Sequence, residues 1–469
     1  MRPRPVVACG VLLAAVVAAA AAADLPPGPA TYVAGSAGAA GILGALLLLH
    51  GRRWPLDGEV ALHVGIAIQY LLAPMAHRLL TAGFRTEAWL LTDERAYVKG
   101  AYPQAMLVVL AFAAALFATM RLCGTRATDR TEWKPRAESG ALRVILVLAG
   151  LVWTVRLGLL ATGSYYHLHR TDFQFVDWRF SAMSQINGTF GLVVLAALCC
   201  TYLAGGLVRR AWILAYVALD LFWNFASGSR EPTLLVGLAL LFAYVLCRRR
   251  WPLRSLAVGA LLALPLMGFM DLYRYAVRDV SRRTELRVGR VGRAVDLAAG
   301  QARAFGTATV AMRSVSRLND LESIAALCLR VPRYQPHLDG ETYATVPAVF
   351  VPRLLWPEKP SMVLPVNRWF FRDEGGTCPV TTMGEGYLNF GWRGVVAAGA
   401  AAGLLLAAAE RYLRRHRTSA LALGFYVCFL LTMSRLHTQS MATWIGTLGK
   451  LCLALAATHA LQRLATEEA

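Results

Sequence analysis

Apolar runs of about 20 residues recur along almost the whole chain, each long enough to cross a bilayer as a helix. In hydrocarbon a helix satisfies its backbone polar groups internally, so runs of this kind dictate the fold class. They lie at about 6–23, 31–50, 59–80, 102–120, 141–162, 186–207, 211–227, 232–247, 255–275, 394–409, 418–434 and 441–462. The sequence therefore predicts an all-α polytopic membrane protein of about twelve transmembrane helices. Composition agrees: of 469 residues, 57% are hydrophobic and only 16% charged, and mean hydropathy is +0.48. A soluble domain rarely has these values.

The first run follows Arg2 and Arg4 and resembles a signal peptide, with an Ala-rich cleavage point near Ala23. The alternative, a retained first helix, is adopted because the helix count then closes. Charge decides orientation. Arg52 and Arg53, the group Arg121, Arg126, Arg130, Lys134 and Arg136, then Arg209 and Arg210, Arg248 to Arg250 with Arg254, and Arg411, Arg414, Arg415 and Arg417 all fall on one side. The short loops opposite hold seven basic residues: Arg85, Arg95, Lys99, Arg170, Arg179, Arg230 and Arg435. The positive-inside rule places both termini in the cytoplasm and the long loop 276–393, between spans nine and ten, outside. Three regions follow: spans one to nine over 1–275, the outer loop over 276–393, and spans ten to twelve over 394–469. The formal net charge of +20 is explained by these flanking arginines and by lipid headgroups rather than by nucleic acid.

The outer loop has two parts. In 280–330, Arg283, Arg287, Arg290 and Arg293 share a broad helical face opposed by Leu286, Val291 and Val295. Such a helix either rests on lipid headgroups or draws in an anionic substrate. In Gly340–Gly394, Pro347, Pro352, Pro357, Pro360 and Pro365 forbid a long regular helix. Aromatic residues alternate there with Arg353, Lys359, Arg368 and Arg372, among the acidic groups Glu341, Glu358, Asp373, Glu374 and Glu385. A segment of this composition suits an ordered interfacial loop, or a surface that binds an anionic, sugar-like substrate.

Most of the nine cysteines lie in or beside apolar runs and read as packing residues. Cys328 and Cys378 alone occupy the outer loop, where an oxidising compartment would allow a disulfide. There is no CxxC, no metal-ligand spacing, and no Walker, dinucleotide, HExxH or GxSxG motif, so no cofactor or metal is expected. The informative polar groups sit where outer loops meet helices: Ser227-Gly228-Ser229-Arg230-Glu231, Asp271 with Arg274, and Arg435 with His437. Charge at a membrane edge is costly unless paired or engaged with a ligand.

Three of these features occur together. They are Gly228-Ser229-Arg230 opening a late span, Val351-Pro352-Arg353-Leu354-Leu355-Trp356-Pro357-Glu358-Lys359-Pro360 in a large outer loop, and Gly384-Glu385-Gly386-Tyr387-Leu388-Asn389-Phe390-Gly391 entering the next span. In this the chain resembles the O-antigen polymerase family, the oligosaccharide repeat-unit polymerases, over roughly 225–395. The resemblance implies a multi-pass enzyme of the bacterial inner membrane. Such an enzyme joins repeat units carried on undecaprenyl pyrophosphate at the periplasmic face, for O-antigen, capsule or exopolysaccharide assembly. It implies lipid-linked oligosaccharide and membrane lipids as partners, a chain-length regulator as a further one, and no metal. The departing pyrophosphate calls for guanidinium groups, and the acceptor hydroxyl calls for a base. Catalytic candidates are Glu385, Arg353 and His437. Arg230, Lys359, Arg368 and Arg435 are candidates for binding the pyrophosphate, and Trp356, Trp369 and Tyr387 for stacking on sugar rings.

An O-antigen ligase shares the donor and the arginines and stays open as an alternative. So does a metal-dependent lipid-sugar glycosyltransferase, for which Asp93-Glu94 is the only close acidic pair in an early outer loop. A transporter would place charges and broken helices at mid-membrane. The spans read as poor in charge, which argues against it.

Overall fold

The computed structural model describes residues 35–44, 58–67, 70–71, 94–123, 139–161, 178–205, 209–226, 230–248, 289–306, 321–351, 356, 380–416, 419–435 and 440–467, with scattered residues between 252 and 276. Among them all regular structure is helical and no strand occurs. The elements are α1 (35–44), α2 (Gly58–Ala67), α3 (Glu94–Leu122), α4 (Ser139–Ala161), α5 (Trp178–Gly205), α6 (Arg210–Ala226), α7 (Arg230–Arg248), α8 (Gly289–Phe305), α9 (Leu321–Arg330), α10 (Glu341–Ala344), α11 (Thr382–Arg415), α12 (Ala420–Ser434) and α13 (Met441–Glu467).

Four described helices are long and apolar enough to cross a membrane: Ala101–Leu122, Leu142–Leu159, Thr382–Arg415 and Met441–Leu461. Phe190–Leu203, Pro232–Arg248 and Ala420–Ser434 are shorter apolar helices. Several are apolar on both faces. On α4, Val144, Ile145, Leu148 and Val152 are buried while Leu146, Val147, Leu151 and Leu157 are exposed. Exposed apolar faces on this scale are unfavourable in water and ordinary in lipid. The first run, 6–23, lies outside the described residues, as do parts of the second, third and ninth.

The chain forms two compact units. The first comprises Met1–Thr128, Val315–Tyr412 and Thr432–Gly446, the second Asp129–Ser314, Leu413–Leu431 and Thr447–Ala469. In the first, α9 and α2 pack on α3, and α11 crosses α3 at very close range. A Cβ on Gly399 would stand 2.5 Å from the Phe112 carbonyl oxygen, and one on Gly403 2.9 Å from that of Leu116. This is the close backbone approach that a G-x-x-x-G pair permits. At the far end of α11, Arg411 donates to the carbonyl of Cys123, just past the C-terminus of α3, at 2.7 Å.

In the second unit α4 packs on α5, and α7 packs on both α5 and α6. The amphipathic segment expected in 280–330 is α8, whose ends fall at Gly289 and Phe305. Its buried face is alanine: Ala294 and Ala298 pack with Leu159, Trp223, Leu272, Tyr273 and Ala276, and Val295 and Ala302 flank them. Arg293 stays exposed. Gly306, at φ 76°, ends the helix, its amide bonded to the Ala302 carbonyl. The expected outer loop is thus shared: α8 belongs to the second unit, and the chain from Val315 belongs to the first.

Candidate functional site

Span ten was expected to begin at 394 because the Gly-rich stretch before it reads as loop. The helix begins twelve residues earlier, at Thr382, and is broken in the middle. Phe390 (φ −135°, ψ 17°) and Gly391 (φ 59°, ψ −141°) leave helical geometry. Gly391 takes a conformation that L side chains rarely adopt, and a Cβ there would also meet the His337 ring at 3.3 Å. The result is a polar half-helix, 382–389, followed by an apolar one.

The polar half-helix is held by the segment 331–351. Asn389 organises this contact. Its Oδ1 accepts from the Gly340 amide at 3.0 Å. Its Nδ2 donates to Thr342 Oγ1 at 2.7 Å and to the Glu385 carbonyl at 2.8 Å. The Thr342 hydroxyl in turn hydrogen-bonds the Glu385 carboxylate. His337 and the Leu338 amide both bond the Leu388 carbonyl.

Glu385 is 1% exposed. Its Oε2 accepts from the Met441 amide at 2.5 Å, and so caps the first turn of α13. Ser440, the residue before, caps the Thr443 amide with its hydroxyl. The sequence candidate for a base is therefore engaged at a helix start. Beside it, burial and then the Glu385 charge hold the Tyr343 phenol above its usual range.

Tyr387 is 3% exposed. Its hydroxyl accepts from Gln104 Nε2 at 2.8 Å and donates to the Val331 carbonyl at 3.3 Å. Its ring packs edge-on against Trp392 at 5.8 Å and His337 at 6.2 Å. The ring thus acts as an internal strut. The rings open to the surroundings beside it are Trp392 and Phe390, and Tyr334 is exposed with Arg333 over its face at 5.3 Å. Arg393, next to Trp392, is exposed and has no ion pair among the described residues. Trp356 is exposed. Arg435 is half-buried at the end of α12, and Arg230 opens α7.

Arg353, Lys359, Arg368, Trp369 and His437 lie outside the described residues, as does Cys378. Cys328 carries a free, buried thiol. The structure thus brings together Glu385, Tyr387 and the start of α13. Sequence reasoning named two of these but missed Thr342, Asn389 and His337, which assemble them.

A second polar cluster was missed altogether. In the second unit Arg156 of α4 and Asp220 of α6 form an ion pair with both side chains buried, so spans that are poor in charge by composition still hold a buried pair of opposite charges. Among the described residues no group of three or more His, Cys, Asp or Glu side chains could hold a metal. Comparison with protein-family models, with curated proteins and with solved structures finds no match for this chain.

Proposed function

We propose that this protein is a metal-independent membrane glycan polymerase of the inner membrane. It would join undecaprenyl-pyrophosphate-linked oligosaccharide units at the periplasmic face, with twelve spans and the 276–393 loop outside. The observation that carries the reading is the broken helix α11. A polar half-helix bearing Glu385 and Asn389 is clasped by 331–351, while Trp392, Phe390, Arg333 and Arg393 stay exposed around it. Cations beside aromatic rings, at the head of a membrane-length helix, match a substrate that joins a pyrophosphate to sugars.

Within this reading Glu385 is a positioning residue. By capping α13 it holds Met441, four positions after His437 in the sequence. His437 is then the base for the acceptor hydroxyl, and Arg353, Lys359 and Arg368 take the pyrophosphate. Trp356 and Trp392 supply the stacking surfaces. Purified protein given lipid-linked repeat units should release undecaprenyl pyrophosphate and form multi-unit glycan on lipid, unaffected by a chelator. Transfer of one finished glycan to a different acceptor, with no lengthening, would identify a ligase. Loss of activity on chelation would identify the metal-dependent class.

A further inference from the structure

The Arg156–Asp220 pair is more than a buried ion pair. Arg156 is 2% exposed, and its Nε donates to Asn187 Oδ1 on α5 at 2.6 Å. Its Nη2 faces Asp220 Oδ1. The guanidinium fits because residue 191 is glycine: a Cβ there would stand 3.0 Å from Nη2. Two indoles border it, with the guanidinium carbon 4.8 Å from the Trp153 ring centre and 5.6 Å from that of Trp223. Tyr216 packs edge-on against Trp153 at 6.5 Å.

Two donors in this cluster, Arg156 Nη1 and Trp153 Nε1, are buried with no hydrogen-bond partner among the described residues. Leaving such groups unpaired in an apolar bundle is unfavourable by about 1–3 kcal/mol each, so the site has room in its chemistry for oxygen acceptors. The charge state restricts which kind. The Arg156 charge is already matched by Asp220, and a further full anion would return net charge to the apolar interior. An uncharged acceptor brings no such cost.

Leu159 and Trp223, each one turn beyond Arg156 and Asp220, share one buried apolar cluster with Ala294 and Ala298 of α8. An alanine face buries little apolar area, so α8 separates from the bundle at lower cost than a leucine-faced helix would.

We infer that Arg156 and Trp153 form a second binding site, next to the apolar cluster that holds α8, for an uncharged hydroxyl-bearing ring such as a sugar of the glycan. The choice of a sugar rests on the polymerase reading, whereas the open donors do not. The test uses full-length protein in detergent, with glucose, galactose, N-acetylglucosamine and inorganic phosphate as probes, read by thermal unfolding. At least one sugar should raise the midpoint and slow amide hydrogen exchange across 289–305, whereas phosphate should leave exchange across 289–305 unchanged. Trp153→Phe removes the N–H together with the fused five-membered ring, and should weaken that sugar by at least about tenfold, the equivalent of one hydrogen bond. Arg156→Lys keeps a cation facing Asp220 and should abolish the effect. No shift with any sugar, an equal shift in Trp153→Phe, or slower exchange across 289–305 with phosphate would each overturn the site, leaving an internal water or an anion as its occupant. Because binding is read without turnover, an inactive polymerase and an empty sugar site would be told apart.

Discussion

The carboxylate of Glu385 accepts a hydrogen bond from the backbone amide of Met441, joining the polar half of α11 to the first turn of α13. The bond does two things at once. It satisfies one of the amides that every helix start leaves unpaired, and it places negative charge at the positive end of a 27-residue helix.

Charge and acceptor can be separated at this position. Glu385→Gln keeps an oxygen acceptor and should lower unfolding free energy by about 0.3–1 kcal/mol, the size of a charge–dipole term. Glu385→Ala removes the acceptor as well and should lower it by about 1–3 kcal/mol. Denaturation in detergent measures both, and equal losses would discard the charge component. Polymer formation should fall in the Gln variant while expression is kept. Wild-type polymer length and amount would remove Glu385 from the activity altogether.

The crossing of α11 on α3 depends on having no side chain at two positions. Gly399→Val and Gly403→Leu would drive carbon into the Phe112 and Leu116 carbonyls. Backbone cannot yield as a flexible side chain can, so each should destabilise at the upper end of the usual overpacking range, about 3 kcal/mol. Gly150→Ala on α4 is the control: nothing lies within 4 Å of its Cβ position. It should gain about 0.5–1 kcal/mol from helix propensity. Yield of monodisperse protein and its unfolding midpoint would rank the three, and a stable Gly403→Leu variant would refute the close crossing.

How much of this was legible in the sequence depends on the range of the interaction. Helices such as 141–162 and 232–247 were read from apolar length alone, and the structure places α4 and α7 there within a few residues. The amphipathic pattern around Arg293 and Val295 likewise reappeared in α8. The polar half of α11 was read as loop because its hydrogen bonds go to Gly340 and Thr342, some fifty positions away, and local composition cannot show them. Arg156 and Asp220 each look like a lone charge in an apolar run, and only the packing of α4, α5 and α6 makes them a pair. Gly399 and Gly403 were visible as a G-x-x-x-G spacing, a signal that the sequence reading passed over.

Asp220→Ala leaves the Arg156 charge buried and unmatched, and should destabilise by about 3–5 kcal/mol. Removing both partners, as Arg156→Met with Asp220→Leu, eliminates the charge together with its counterion. That double variant should recover most of the lost stability. It should stay inactive if the cluster binds substrate and should be active if the pair only holds helices together. Thermal unfolding combined with the polymerisation assay distinguishes these outcomes.

Burial in α9 pushes the Cys328 thiol up to about 12. The folded form therefore stays protonated where the unfolded chain ionises, above about pH 8.5. The stability this contributes is complete below that pH and is lost as pH rises towards 12. Relative to Cys328→Ala, the wild type should thus lose up to about 1.4 kcal/mol for each pH unit above 8.5. A maleimide should label Cys328 only after denaturation. Labelling of the native protein at pH 8 would show the thiol to be accessible.

Arg353 gives the sharpest test of the proposed chemistry. It follows Pro352 and precedes Leu354-Leu355-Trp356-Pro357. The prolines restrict the backbone, which should hold the side chain in a defined direction. Attraction to a pyrophosphate is stronger near a low-dielectric layer than in water. A headgroup anchor would be served equally well by lysine, whose ammonium snorkels as arginine does. A bidentate pyrophosphate contact would not, because an ammonium lacks the planar fork. Both Arg353→Ala and Arg353→Lys should therefore insert normally yet lose about one to two decades in rate. That is the equivalent of about 1.5–3 kcal/mol for each lost charge-assisted bond. The assay is polymerisation of purified lipid-linked repeat units. A fully active Arg353→Lys enzyme would remove Arg353 from the site and leave it an interfacial anchor.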